Sequence, residues 1–320
     1  MFRSLFLKIS RVFQTLSEPH GRMAAASIGF TMGRVCLKER KRLFETIDRV
    51  YFRVGKKPPF AISGIIDRLF IHFSLVLFEV LRFPLISSEQ LKNNIHFHGV
   101  ENLEKAISAG TGVILPLPHL GSWELLGAAI AFRGYPLHTF FLSQKEDDLG
   151  STLDYFRQFS RLIFHERDRG MIGALKALKN GELLGMIADQ DGGNHGVYLD
   201  FLGHWVSMPT GPANWSLKSG AQVVPVYCVR RGFSSKYDAF FLPALKPETA
   251  PSHEEKVISR IRKLSIWMQD IILANPSQYL WFYDRFKPRH VPYLATLQKS
   301  GISSVHGDYF YRNPSPGKKM

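Results

Sequence analysis

From Ile95 onward the chain alternates short apolar runs with amphipathic stretches, and that rhythm restricts the fold more than any other feature. Strands are expected near 95–99, 112–117, 136–141, 161–164, 183–188, 197–201, 222–229 and 237–242, with helices near 101–109, 123–133, 148–159, 169–179 and 209–219. Strands joined through helices return parallel to one another, so the expected class is α/β: a mainly parallel mixed sheet flanked by helices. Before Ile95, residues 1–17, about 36–53 and 62–83 read as helices, broken at KKPPF, 56–60, which gives an N-terminal helical region. A last helix is expected at 252–273, opened by Ser252 and Glu255 as a capping box. With 320 residues, 45% of them hydrophobic and 25 of them Phe, the chain can bury a sizeable core, and wholesale disorder is excluded. Cys36 and Cys228 lie far apart and suggest neither a disulfide framework nor a zinc site, which points to a reducing compartment.

The strand expected at 112–117 runs into ILPLPHLGSWE, residues 114–124. An apolar run delivers His119 into a tight Gly121-Ser122 turn, and Glu124 falls in the first turn of the helix that follows. A general base needs such a pairing: one imidazole nitrogen takes a proton while a carboxylate holds the other N–H and stabilises the imidazolium. Spacing alone does not select this pair, because His96/Glu101 and His195/Asp200 repeat it. His96 sits inside the alternating run NIHFHGV and reads as an ordinary strand side chain. His195 sits in a Gly-rich loop, with Asp200 ending the short strand after it. His119 alone of the three stands where a strand hands over to a helix, and α/β proteins place their sites at the carboxyl ends of strands. The plainer reading is a structural histidine satisfied by its neighbours.

Other segments carry two readings each. ADQDGG, 188–193, follows the apolar strand LLGMI. Asp189 and Asp191 suit either a divalent cation held against a diphosphate, as in nucleotide-sugar glycosyltransferases, or a strand-end turn chosen for its backbone. Arg157 and Arg161 lie on YFRQFSRLIF, where most arginines are simply solvated. The helix expected within 208–227 offers N–H groups to an anion at its start, although packing accounts for most of its residues. Trp281, Tyr283 and Arg285 in QYLWFYDRFK read as core lining or as an interfacial belt. No GxSxG elbow, P-loop or GxGxxG-with-acid fingerprint is present, which removes the commonest hydrolase, NTPase and dehydrogenase readings.

Charge is placed at the ends. Of the formal net +14, residues 1–60 carry +9 and residues 285–320 carry +6, leaving −1 for the body between them. Two basic ends on a near-neutral body suit an anionic surface, either nucleic acid or acidic membrane. Without a zinc finger, an RNP-like motif or lysines interleaved with stacking aromatics, nucleic acid is not the expected partner. Phe2, Leu5, Phe6, Ile9, Val12, Phe13 and Leu16 follow helical spacing, with Arg3, Lys8 and Arg11 between them. Such a helix either lies in the plane of a membrane interface or docks on the protein's own core. No apolar run reaches the ~18 residues needed to span a bilayer. LFIHFSLVLFEVLRFPLI is broken by His72, Glu79 and Arg82 and reads as a buried or surface-lying helix. The chain therefore divides into a basic amphipathic helical region at 1–60, a body at 61–290 and a basic tail at 291–320.

Taken in order, PHLGSWE, YFRQFSRLIF, ALKNGELLGMIADQDGG, GVYLDFLGHWVSMPTGPANWSLKSGAQVVPVY and NPSQYLWFYDRFKPR resemble the late acyltransferases of lipid A biosynthesis and their relatives, the phosphatidylinositol mannoside acyltransferases and other lysophospholipid-type O-acyltransferases. The resemblance covers roughly residues 60–290. It implies a glycerolipid acyltransferase-like fold. It also implies transfer of a fatty acyl chain from an acyl-carrier-protein or coenzyme A thioester to a hydroxyl of a glycolipid or lysolipid. His119 would be the general base and Glu124 its orienting partner in a His-x4-Glu motif. Arg157 would match the family's arginine and bind an anionic group or the oxyanion, and Asp189 and Asp191 would shape the acceptor side. Neither a metal nor a cofactor is implied, the thioester being a substrate. The implied location is peripheral, on the cytoplasmic face of the bacterial inner membrane. Many members begin with a transmembrane anchor and this chain shows none, which favours the mannoside branch. A metal-dependent glycosyltransferase built on Asp189 and Asp191, and a non-catalytic lipid-binding protein, are the competing expectations.

Overall fold

The computed structural model describes residues 2–141, 148–166 and 169–286, with side chains described from Leu7 in the first helix and from Leu153 in the helix that starts at Asp148. The tail expected at 291–320, and the side chains of Phe2, Leu5 and Phe6, lie outside the described residues. The chain opens with α1 (Phe2–Thr15), α2 (Glu18–Val35), α3 (Leu37–Val54), α4 (Ile62–Leu81) and α5 (Ser88–Asn94). Then come β1 (Ile95–His98), α6 (Val100–Ser108), β2 (Val113–Leu117), α7 (Trp123–Phe132), β3 (Leu137–Phe141), α8 (Asp148–Arg157), β4 (Ile163–Glu166), α9 (Met171–Lys179) and β5 (Leu183–Ile187). The remainder is β6 (Val197–Phe201), β7 (His204–Met208), α10 (Gly211–Ser219), β8 (Gln222–Val223), β9 (Val226–Arg230), β10 (Tyr237–Phe241) and α11 (His253–Ala274).

The central sheet has the order β4-β3-β5-β2-β8 and every pair in it is parallel. The fold is thus the α/β class expected, with its helical region in front. A smaller sheet, β1-β10-β9, and the hairpin β6-β7 complete it. The single strand expected at 222–229 is two, because Pro225 has no N–H for the ladder. β8 pairs with β2 in the central sheet, while β9 pairs with β10 in the smaller one. Side chains on the two faces of β5 divide the core: Leu183 packs among Val113, Leu115, Leu126 and Ile130, and Leu184 among Ile114, Ala174 and Leu178. Strand β7 and helices α2 and α5 are additions to the sequence reading. Helix α2 carries Gly21, Gly29 and Gly33, each unfavourable in a helix by about 1 kcal/mol relative to Ala, and tertiary packing overrides that propensity.

Helix α4 is buried, not surface-lying, with Ile65, Ile66, Leu69, Leu75 and Leu81 almost wholly covered. Its polar residues are used internally. Arg230 reaches Glu79 (Nη2 to Oε2, 3.0 Å), and the Tyr237 hydroxyl donates to the same carboxylate at 2.7 Å. His72 lies 3.1 Å through Nε2 from the carbonyl of Gly121, and Arg230 Nε donates to its Nδ1 at 3.4 Å. The ring is therefore neutral, with its proton on Nε2. Burial, together with the charge of Arg230, depresses its pKa to about 3. Since the folded value lies below the unfolded one, His72 costs the fold nothing above pH 6.5. Its penalty grows as pH falls toward 3, by about 1.4 kcal/mol per pH unit. Urea midpoints measured between pH 7 and pH 4 are expected to fall more steeply for the wild type than for His72→Gln, which keeps a donor but cannot titrate. Parallel curves would remove His72 from the acid response.

Candidate active site

The register of the central sheet assembles the site. Leu117 at the end of β2 pairs with Ile187 at the end of β5, and Ala188 N donates to Leu117 O at 2.9 Å. Two residues further along each strand stand His119 and Asp189. Asp189 accepts from the backbone N of His119 at 3.0 Å (Oδ2), and its Oδ1 lies 2.9 Å from Nδ1 of the same residue's ring. Although burial alone would raise the Asp189 pKa, the imidazole and backbone N–H of His119, with the charge of Arg285, hold it below the ordinary carboxylate range. An ionised carboxylate only accepts, so in the neutral ring the proton sits on Nδ1 and the lone pair on Nε2.

The turn that presents His119 is clamped on two sides. Gly121 has φ +65°, and a Cβ there would lie 2.0 Å from the carbonyl oxygen of Cys228, so only glycine fits. Gly121 N donates to Gln278 O at 3.0 Å, Leu280 N donates to His119 O at 3.0 Å, and His72 holds the carbonyl of Gly121 from α4. Trp123 meets the His119 ring edge to face at 4.8 Å.

His119, Trp123, Glu124 and Arg157 line a cleft open to solvent, whose other walls are mostly apolar. Leu115, Leu117, Leu126, Ile130, Leu137 and Val226 carry it inward between the sheet and α7. Gly185 on β5 faces the same space.

The structure pairs two of these residues otherwise than expected. Glu124 is not the carboxylate on His119; that seat belongs to Asp189. Glu124 instead receives the fork of Arg157, from Nη2 at 2.6 Å and from Nε at 3.1 Å, both to Oε1. Arg157 Nη1 donates to Asp154 at 2.8 Å, so all three nitrogens of the guanidinium are engaged and it is not an open anion receptor. Arg161 stacks over Phe132 at 4.2 Å, apart from this cluster. Asp191 accepts from Gly193 N at 2.9 Å and shapes the turn after β5. His96, His195 and Asp200 are exposed and line no part of the cleft.

The sequence reading also underrates Arg285. It is buried, as is Trp281, so this segment is core rather than an interfacial belt. Arg285 Nη2 donates to Ser207 O at 2.7 Å, while Nε and Nη1 have no hydrogen-bond partner. Its charge adjoins Asp189 and Asp191, and the phenol of Tyr279 adjoins Asp189 as well. The hint in the sequence is a lone arginine among aromatics. Only the fold shows which carboxylate it backs.

The sequence profile of the bacterial lipid A biosynthesis acyltransferases matches residues 2–288. Among individual relatives, a phosphatidylinositol mannoside acyltransferase of Mycobacterium tuberculosis is 30% identical over 47% of this chain and 49% of its own length. A lipid A biosynthesis acyltransferase of Haemophilus influenzae is 22% identical over 70% of this chain and 69% of its own. A lipid A biosynthesis palmitoleoyltransferase of Escherichia coli is 29% identical over 60% and 61%. The chain thus spans about half the length of the mannoside relative.

Proposed function

This chain belongs to the family of bacterial lipid A biosynthesis acyltransferases, and from that premise we propose that it acylates a hydroxyl of a glycolipid or lysolipid. The donor is a fatty acyl thioester of acyl-carrier protein or coenzyme A, and the work is done at the cytoplasmic surface of a membrane. One juxtaposition carries the reading: a histidine with its base nitrogen free, held by a buried carboxylate, at the polar end of an apolar cleft. Nε2 of His119 takes the proton of the acceptor hydroxyl as its oxygen attacks the thioester carbonyl. Asp189 holds the imidazolium that forms, with the proton on Nδ1 between them. The tetrahedral intermediate then expels the thiolate, which recovers the proton from Nε2. The new ester and a free thiol result, with no acyl-enzyme on the way. Helix α7 begins at Trp123 beside the cleft, where its unpaired N–H groups and positive dipole end favour the developing oxyanion. The acyl chain occupies the apolar walls.

The cation-dependent glycosyl transfer reading is disfavoured, because both oxygens of Asp189 already serve His119. Incubation with palmitoyl-coenzyme A and a bacterial lipid extract is expected to release free thiol, to add acyl mass to a lipid, and to continue in EDTA. No thiol release with either carrier would overturn the acyl transfer reading.

A further inference from the structure

Helix α2 is built the wrong way round for a helix that serves only a core. Its small residues face inward and its large apolar ones face outward. Gly21, Ala25, Gly29 and Gly33 form the buried stripe. At Gly29 a Cβ would lie 2.6 Å from Phe70 O and 2.8 Å from Ile71 Cα, so α2 and α4 meet almost backbone to backbone. Around its exposed side Met23 is 64%, Ile28 50%, Phe30 47% and Met32 44% exposed, on both flanks of Ser27 and Thr31, and Val35 and Leu37 follow at the join with α3. Soluble surfaces rarely expose this many large apolar side chains on one helix and its continuation without a partner. The surrounding charge selects that partner. Arg34 lies over Phe30 at 4.6 Å, Lys38 stands exposed next to Leu37, and the first 60 residues carry a net +9. A basic rim around an apolar face matches an anionic bilayer.

We propose that the outer face of α2, with Val35 and Leu37, seats this protein on an anionic membrane. The proposal deepens the reading of a lipid acceptor and rests on it. It moves the contact away from the α1 stripe, whose described part, apart from the exposed Val12, docks on the protein. Phe13 is buried edge to face against Phe78 at 5.3 Å, Ile9 and Leu16 pack on the core, and Ser10 Oγ donates to Leu81 O at 2.9 Å. The seat and the chemistry are joined through one helix: α4 touches α2 through Phe70 and Ile71 and holds the carbonyl of Gly121 through His72, so α2 and α4 together, about two helix diameters or ~20 Å, separate membrane face and catalytic turn.

Flotation with phosphatidylcholine vesicles, plain or one third phosphatidylglycerol, tests the proposal. The wild type is expected to float with the anionic vesicles, less so in high salt. A variant carrying M23Q, I28Q, F30Q and M32Q should partition about tenfold less or weaker, with an unchanged melting temperature because all four side chains are exposed. V12Q, at the exposed described residue of the α1 stripe, should stay within about twofold of wild type. Equal flotation of wild type and the α2 variant, or loss with the α1 variant alone, would overturn the proposal. So would a dimer in light scattering that the α2 substitutions dissociate while vesicle binding persists, since the face would then belong to a second copy. Thiol release from palmitoyl-coenzyme A in detergent is read separately. Its absence in the wild type would count against acyl transfer, while flotation still judges the membrane face.

Discussion

Asp189→Asn is expected to lower kcat by a factor on the order of 10³–10⁴, the scale seen when the carboxylate that fixes a catalytic imidazole is replaced by an amide. An asparagine amide can donate to Nδ1, which moves the ring proton to Nε2 and removes the lone pair that must face the acceptor. It also leaves the imidazolium without its counter-charge. His119→Ala should cost a factor on the order of 10²–10⁴, and the double variant little more than the worse single one, because the two act as a unit. Glu124→Gln is the informative comparison. Adjacency in sequence makes Glu124 the partner of His119, whereas the structure gives Glu124 to Arg157. Its substitution should therefore act mainly by loosening Arg157 and the cleft wall, and fall short of Asp189→Asn. Steady-state kinetics of the three variants, each checked for an unchanged circular dichroism spectrum, decide the matter. A mild Asp189→Asn beside a severe Glu124→Gln would return the orienting role to Glu124.

The second large effect concerns chain length. Gly185 sits on β5 between Leu115 of β2 and Thr139 of β3 and opens the cleft at that point. A Cβ there would meet Leu137 Cδ1 at 3.5 Å, an ordinary contact, so a larger residue fits the backbone and fills the cavity instead. Gly185→Leu should exclude the far end of a long acyl chain. Each methylene kept out of the protein forfeits about 0.8 kcal/mol, so excluding three lowers kcat/KM by roughly fifty-fold. A donor shorter by that much should be used nearly as well as by the wild type. Measured with a series of acyl-coenzyme A donors, an equal loss at every length would show that the chain does not enter here.

The sheet was legible because its strands are short apolar runs between helices, and most lie within two residues of their expected places. His119 was legible for the same reason: it stands where an apolar strand stops. Its partner was not. Asp189 lies 70 positions away and reaches His119 only through the β2–β5 register, which no local spacing encodes. The DQD segment stands out in the sequence, but taken alone its carboxylates suit a turn before a cation, and nothing local points them at His119. Helix α2 carries no such signal, because large apolar residues at helical spacing mark a buried face, and here glycine occupies it.

That glycine stripe has a consequence for how the protein tolerates a change of surroundings. Most contacts between helices in water owe their strength to solvent driven from large side chains, and they weaken when hydrocarbon replaces the solvent. The α2–α4 seam has little side chain to desolvate at its closest approach. It is held by shape and dispersion, backbone on backbone at Gly29 and the rings of Phe78 and Phe70 against Gly21 and Gly33, the close small-residue packing that also joins helices within a bilayer. Such a seam keeps its geometry whether its outer neighbour is water or lipid. The turn bearing His119, anchored on the far side of α4, is thereby insulated from which of the two it meets.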